Sequence, residues 1–394
     1  MNKQDYKKIV QELKERYEKI EADLKEYDSL LEKFKEDPSE SLKERIIELR
    51  QKIDKEMEEY EKEYNKCWVK YQGEKLFIED AEFLEKYKGK IKEYNIENNF
   101  ISKITIPEGA EDIYKSGDLK KLNLKELDIE WTAIEELTYD KLPESIEKIS
   151  ARGCKKLKNY DLKNLNKLKK LCIGRTAIKE LTDDKLPESI EEIYANQCKL
   201  KNYNLKNLNN LKELNIWGTA IKKLTYDKLP ESIEKIDAGW CKKLKNYNLK
   251  NLNNLKELDI VETAIKELTD DKLPESIEEI YARECKNLKN YNLKNLNKLK
   301  KLNIGATAIE ELTYDKLPES IEAIYAYHCE NLTKCSLKNL KNLKELDISY
   351  SGIKKLGPED IPMSLKRLVV SIDQDVSEIE KDPRFKNLEI KVQK

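Results

Sequence analysis

The chain has 394 residues, 39% of them charged, yet a formal net charge of only -1. That length has room for two or three domains, and the balanced charge argues against a generic nucleic-acid or anionic-membrane binder, which would carry a basic excess. The opening MNKQDYKKIVQELKER holds no signal-peptide apolar core, and no apolar run approaches membrane-spanning length.

Residues 1–70 form the first expected unit. Tyr6, Val10, Leu13, Tyr17, Ile20, Leu24, Tyr27, Leu31 and Phe34 follow alternating 4-3 spacing, the seam of a coiled-coil helix. The break Glu36-Asp37-Pro38-Ser39-Glu40-Ser41 ends it, because proline is excluded from helix interiors and Asp or Ser can cap the next start. A second seam runs Leu42, Ile46, Leu49, Ile53, Met57, Tyr60, Tyr64. Two arrangements stay open: an intramolecular helical hairpin that caps the rest of the chain, leaving a monomer, or a coiled-coil dimer. The short break and the matched seams favour the hairpin.

Residues 71–123 are expected to be a connector and N-terminal cap. Phe77 to Tyr94 has roughly helical spacing, and Ile104 and Ile106 alternate as in a strand closed by Pro107 and Gly109.

From 124 to 364 the chain repeats itself. LKELDIEWTAIEELTYDKLPES (Leu124–Ser145) returns as LKKLCIGRTAIKELTDDKLPES (Leu168–Ser189), and IEKISARGCKKLKNYDLKNLNK (Ile146–Lys167) lies between. The pattern is LxxLxIxxTxI alternating with IxxIxAxxCxxL, eleven copies in all, with a period of about 22 residues. Counting Leu124 as position one, the frame hardly changes, while positions seven and eight change almost every time. Every Trp, every Arg and the one His between Leu124 and Ser364 stand at those two positions. Leu127 and Ile129 alternate, so both face one side of a short strand, and stacked copies would bury Leu137, Leu142, Leu157, Leu162 and Leu165 behind it. Position six is Ile in one repeat type (Ile129, Ile173) and Ala in the other (Ala151, Ala195), large beside small. Residues 365–394 leave the repeat and finish in a strand-like Leu388–Val392, expected to be the second cap.

This repeat resembles the leucine-rich repeat family, whose signature is LxxLxLxxN/CxL. The KLPES-IEEIYA phrase is similar to bacterial effector repeats, and TAIKEL with GCKKLKN to those of plant intracellular immune receptors. The resemblance implies an α/β leucine-rich-repeat solenoid, with a curved parallel sheet on its concave face behind the N-terminal helical hairpin. It also implies protein recognition, with export into a host cell by a non-Sec route as one setting. Neither a Cys-x-Asp nucleophile motif nor a GxxxxGK[ST] phosphate loop occurs, so no family enzyme activity carries over.

Positions five, seven and eight are expected to project from the concave face. They would present Trp131, Arg152, Arg175, Tyr194, Asn196, Gln197, Trp217, Trp240, Tyr281, Arg283, Glu284, Tyr325, Tyr327, His328 and Tyr350 to a protein ligand. Trp, Tyr and Arg dominate protein-binding hot spots, and eleven strands about 4.8 Å apart span roughly 50 Å, the scale of a macromolecular surface. Other exposed positions, such as Lys141 and Glu144, barely vary, which argues against mere drift. The rival reading is a substrate-recruiting adaptor for a modification enzyme such as a ubiquitin ligase, docked through the N-terminal helices.

Catalysis has little material. His328 is the one histidine and there is no CxxC pair, so no catalytic residue, cofactor or metal is expected. Cys154, Cys198, Cys241, Cys285 and Cys329 repeat at one position, which predicts a row of buried reduced thiols and a reducing, cytoplasmic compartment. Cys67 reads as packing. Asp183-Asp184 and Asp270-Asp271 read as solvated turns, and Tyr160, Tyr203, Tyr247 and Tyr291 as core.

Overall fold

The computed structural model describes residues 3–36, 38–64 and 68–393. The side chains of Tyr6, Val10 and Tyr64, and the whole of Cys67, lie outside the described residues. Contacts divide the chain into two compact units, 1–88 with 96–101, and 89–95 with 102–394.

The first unit holds α1 (Lys3–Glu36) and α2 (Glu40–Tyr64). Arg45 pairs with Glu26, Lys52 with Asp23, Lys19 with Glu56 and Arg16 with Glu59, so the partner moves up α2 as the register moves down α1. The two helices are therefore antiparallel. Leu13, Ile20 and Leu30 are buried on α1, and Ile46 and Ile53 on α2. The expected α1 seam needs correcting at three places: Tyr17 and Leu24 are exposed, and Leu30 is buried where Leu31 was expected. Two helices alone hide one narrow stripe, and a helix drifts about 20° per heptad against a strict seven-residue repeat.

The strands Trp68–Tyr71 and Glu74–Phe77 then pair antiparallel and lead into α3 (Ile78–Lys86). The rings of Trp68, Phe77 and Phe100 gather with centroids 5.1–5.4 Å apart. Tyr60, Phe77 and Ile78 pack on Leu13. The helical spacing read through Tyr94 overshoots. The helix stops at Lys86, Gly89 follows with φ +78, and Glu93–Glu97 is a strand.

The second unit is dominated by a sheet whose fifteen strands run from Glu93–Glu97 at one edge to Glu389–Gln393 at the other. From the strand Phe100–Thr105 onward every pairing is parallel. Each repeat contributes three strand residues, such as Glu126–Asp128, whose middle residue is buried and whose flanking residues are half-buried. Parallel strands need a long connection, and here each repeat's own return path is that connection. Leu137, Leu142, Leu157, Leu162 and Leu165 are buried behind the sheet, as are the Ile and Ala residues of position six.

The return path carries a second ladder that the hydrophobic pattern does not announce. Five short parallel pairs, beginning with Glu136–Thr138 against Asn159–Asp161, join each Ile-type repeat to the Ala-type repeat after it. Tyr160, Tyr203, Tyr247 and Tyr291 are buried there as expected. They also accept the backbone N–H of Thr182, Thr225, Thr269 and Thr313 at 2.9–3.0 Å. The invariant LPES serine acts in a similar way, since Ser145, Ser232 and Ser320 donate to the carbonyls of Leu124, Leu211 and Leu299. The frame is constant because each repeat must satisfy its neighbour's buried backbone groups.

Asp183 and Asp270 depart from the solvated turn expected of them. Both are nearly buried: Asp183 accepts the N–H of Asn207, and Asp270 accepts both the N–H and the side-chain amide of Asn295. A short carboxylate can fold inward to backbone donors where the exposed Tyr314 of another copy cannot. Asp184 and Asp271 are exposed.

Candidate functional site

Position eight is set by the backbone before its side chain is chosen. All eleven residues there have positive φ, from Trp131 at 63° to Tyr350 at 56°, and Gly153 and Gly218 are the two glycines among them. The first ten donate their N–H to the position-seven carbonyl of the next repeat, as Trp131 to Arg152 at 2.9 Å and Gln197 to Trp217 at 2.6 Å, and Tyr350 donates instead to the Ser371 hydroxyl at 3.2 Å. The turn that closes each strand is thus a ladder of its own, and it aims position eight at solvent.

Position five has two jobs that the sequence does not separate. Where it is Asp or Asn, the side chain accepts the position-seven N–H. Asp128, Asn215, Asp237, Asp259, Asn303 and Asp347 do so at 2.9–3.2 Å. These residues hold the turn. Where it is Tyr, a carboxylate takes the hydroxyl: Tyr194 donates to Glu192 at 2.9 Å, Tyr325 to Glu345 at 2.7 Å, and Tyr281 to Glu279. Lys170 and Lys301 sit over the Tyr194 and Tyr281 rings at 4.6 and 4.9 Å.

Those partners belong to position three, which sequence reasoning missed. Position three lies two residues before position five on the same face. It forms a Lys–Glu network across strands: Lys170 with Glu192, Lys235 with Glu257 at 3.1 Å, and Lys148 with Glu126 at 3.6 Å. The signal is present, since ten of the eleven copies have Lys or Glu there, but it reads like ordinary surface charge.

Every one of the fifteen expected residues is at least partly exposed on the open face of the sheet. Trp131 and Trp240 are 45% and 39% exposed, figures high for tryptophan. The structure gathers eight of them into three groups. Arg175 lies 5.9 Å over the Trp131 ring and donates to Gln197 at 2.6 Å. Trp217 and Trp240 have centroids 5.5 Å apart. His328 meets Tyr327 edge-on and stacks on Tyr350. Arg283 is exposed beside Glu284, at 3.4 Å, and Arg152 is exposed. Position seven is less open than expected where it is Gly174, Gly239, Val261, Gly305 or Ser349, all buried. Burial pushes the Asp237 carboxyl up to about 6, against the pull of the Gly239 N–H, and raises Asp259 as well.

Behind the open face lies the thiol row. Cys154, Cys198, Cys241, Cys285 and Cys329 are buried and free. Each pairs with the threonine of the preceding repeat at 3.1–3.5 Å, and each donates to that repeat's position-six carbonyl. Thr–Cys pairs fill the place of an asparagine ladder. At the far end Gln374 takes over and bonds Ile348, Ser351 and Ile353. Among the described residues no group of His, Cys, Asp and Glu is arranged to hold a metal, and no helix is long and apolar enough to cross a membrane.

No protein-family model matches the sequence, and no curated protein matches it. Solved structures do match. The functional domain of InlJ from Listeria monocytogenes superposes with a TM-score of 0.50 at 16% identity, over 70% of this chain and 59% of that one. The chain carries the leucine-rich-repeat fold. YopM from Yersinia enterocolitica is similar over 63% of this chain and 51% of its own, with a TM-score of 0.49 and 21% identity. YopM from Yersinia pestis, described as a leucine-rich effector protein, is similar over 64% and 69%, with a TM-score of 0.44 and 26% identity. This leucine-rich-repeat chain thus spans only about half to three fifths of the first two proteins.

Proposed function

We propose that this chain is a non-enzymatic protein-recognition module that binds a protein ligand on the open, concave face of its solenoid. The observation that carries the reading is the backbone at position eight. Nine of its eleven residues are not glycine, yet hold φ between 53° and 63°. A side chain in that region costs about 1 kcal/mol or more, and glycine would cost nothing sterically. Drift would favour glycine or asparagine. Trp131, Trp240, His328 and Tyr350 stand there instead, exposed, which supports selection for the contacts they make.

A bacterial effector or host-interaction setting goes with this proposal, on the strength of the KLPES-IEEIYA phrase. The four segments 1–70, 71–123, 124–364 and 365–394 are proposed as helical hairpin, N-terminal cap, recognition array and C-terminal cap. The test is the double variant Trp217→Ala, Trp240→Ala in the full chain, with the ligand recovered by pulldown. Binding should weaken by about 2 kcal/mol or more with the melting temperature nearly unchanged. Equal loss from Lys158→Ala or Lys245→Ala, with none from the tryptophans, would sink the assignment.

One observation favours a second reading. Tyr17, Leu24 and Ile47 are 52%, 39% and 47% exposed on the helices, apolar surface that a surface helix need not show. An adaptor would use it to dock a modification enzyme. Leu24→Glu with Ile47→Glu should then release a second class of partner and spare the first. The chain is proposed to be a monomer, and a dimer mass in light scattering that these changes abolish would make the helices an oligomerisation device instead.

A further inference from the structure

Positions seven and eight look independently variable in sequence, but their sizes are coupled between neighbouring repeats. Five glycines occupy these positions: Gly153, Gly174, Gly218, Gly239 and Gly305. Each faces the residue at the same position of an adjacent repeat, an aromatic side chain in three cases and an amide in two. A Cβ on Gly153 would lie 2.6 Å from the Trp131 ring; one on Gly239 would lie 3.0 Å from Cδ1 of Trp217, and also 3.1 Å from Oδ1 of Asp259 and 3.4 Å from Oδ1 of Asp237. A Cβ on Gly305 would lie 2.8 Å from the Tyr327 ring. For Gly174 the neighbour is Asn196 at 2.5 Å, and for Gly218 it is Gln197 at 3.2 Å.

Backbone conformation does not explain three of these glycines. Gly174, Gly239 and Gly305 have no positive φ. Gly153 and Gly218 do, at 78° and 69°, so the turn itself favours glycine there, although nine side-chain-bearing residues accept the same turn in other repeats. The five share a neighbour that lies across them. A side chain seated against a glycine, as the Trp131 ring is over Gly153 and the Tyr327 ring over Gly305, loses rotamer freedom before any ligand arrives, and such preorganisation lowers the cost of binding.

We propose that these glycines are positioning residues of the recognition surface, and that its unit is a glycine paired with a large side chain across two repeats, not a single variable residue. This rests on the open-face reading of function. It also says how the array's specificity is written: Trp217 reads its ligand in the pose that Gly239 permits, and Tyr327 in the pose that Gly305 permits. Changing a glycine to alanine should alter recognition as much as removing the side chain it seats.

The experiment uses the full chain and a probe peptide, selected on the parent protein from a phage-displayed random library. Gly239→Ala, Trp217→Ala and their combination are compared by near-ultraviolet circular dichroism and by titration. The Trp217–Trp240 pair is close enough to couple excitonically. Gly239→Ala should reduce that band and weaken the peptide several-fold, in the direction of Trp217→Ala, and the double variant should be no worse than Trp217→Ala alone. Gly305→Ala with Tyr327→Ala gives the same test at a second pair, where the three atoms nearest the added Cβ all belong to the Tyr327 ring, and separates it from the Asp259 and Asp237 carboxylates that Gly239→Ala also meets. If Gly239→Ala binds like the parent while Trp217→Ala does not, the proposal falls and the open-face reading stands. If neither variant changes the binding of any selected peptide, both fall.

Discussion

His328 stacks on Tyr350 with ring centroids 4.6 Å apart and planes inclined by 5°. The two residues are position eight of consecutive repeats and share one backbone angle, φ 56°. One repeat step is about the thickness of a sheet's strand spacing, 4.8 Å, so neighbouring rings projected from the same turn fall into stacking distance without further adjustment. The turn that strains each residue also lines up its ring with the next.

This relationship predicts a trade between stability and recognition. Glycine relieves left-handed strain but adds freedom to the unfolded chain, and the first effect is the larger at such a position. Ala306, at φ 53°, holds no recognition side chain. Ala306→Gly should therefore stabilise the chain by about 0.5 kcal/mol or more in denaturant unfolding. His328→Gly should leave stability nearly unchanged, because the lost stack offsets the relieved strain, yet weaken ligand binding. Marked destabilisation by Ala306→Gly would contradict the cost assigned to position eight.

Burial separates the cysteines by reactivity. The five thiols of the repeated row lie behind the sheet, and burial raises the pKa of each despite the threonine hydroxyl beside it. Cys172 stands at position five, half-buried on the open face. A maleimide reagent should modify Cys172 before any thiol of the row in the native protein, although burial raises its pKa as well, with all of these reacting fast once unfolded. Fast native labelling of Cys241 would count against the packing described.

The repeat made most of the array legible in advance. A strand flanked by half-buried residues, buried Leu behind it and a row of buried thiols all follow from period and alternation, which record burial directly. Three features did not follow. The sign of φ at position eight leaves no trace where Trp, Glu and His all accept it. The role of Asp128 or Asn215 as a turn acceptor is invisible beside Tyr194 at the same position. The coupling of Gly239 to Trp217 joins residues 22 apart and appears only when repeats are stacked. In α1 the heptad reading failed at Leu24 and Leu31, because a two-helix unit leaves most of each helix in water.

Asp80 makes the first unit sensitive to pH. Its carboxyl is buried, accepts the Ile101 N–H at 2.6 Å through one oxygen, and has no partner for the other. Burial pushes its pKa up to about 7. The folded state therefore holds a proton that the unfolded chain releases near pH 4. The stabilisation is full below that lower value, is lost as pH rises toward about 7, and changes no further above it. Asp80→Asn keeps an acceptor for Ile101 without the charge. It should slow amide exchange at Ile101 above neutral pH and flatten the pH dependence between those limits. An unchanged exchange profile would show that Asp80 does not titrate there.

The tyrosine of the second ladder gives the sharpest test of why the frame is invariant. Tyr247 is buried and its hydroxyl accepts the N–H of Thr269 at 3.0 Å. The same bond joins Tyr114 to Thr138 before the first copy and Tyr291 to Thr313 near the last. One repeat lacks the tyrosine and has Cys335 in its place. There the residue matching Thr269 is Gly357, whose N–H is taken instead by Asp360 at 2.8 Å. Tyrosine is lost where its acceptor duty is lost, which argues that the duty, more than the ring's bulk, keeps it. Tyr247→Phe preserves the packing and strands the Thr269 N–H, and should cost about 1–3 kcal/mol in urea unfolding. Cys335→Ser adds an acceptor where none is needed and should not be stabilising. A near-neutral Tyr247→Phe would mean that packing alone fixes the repeat.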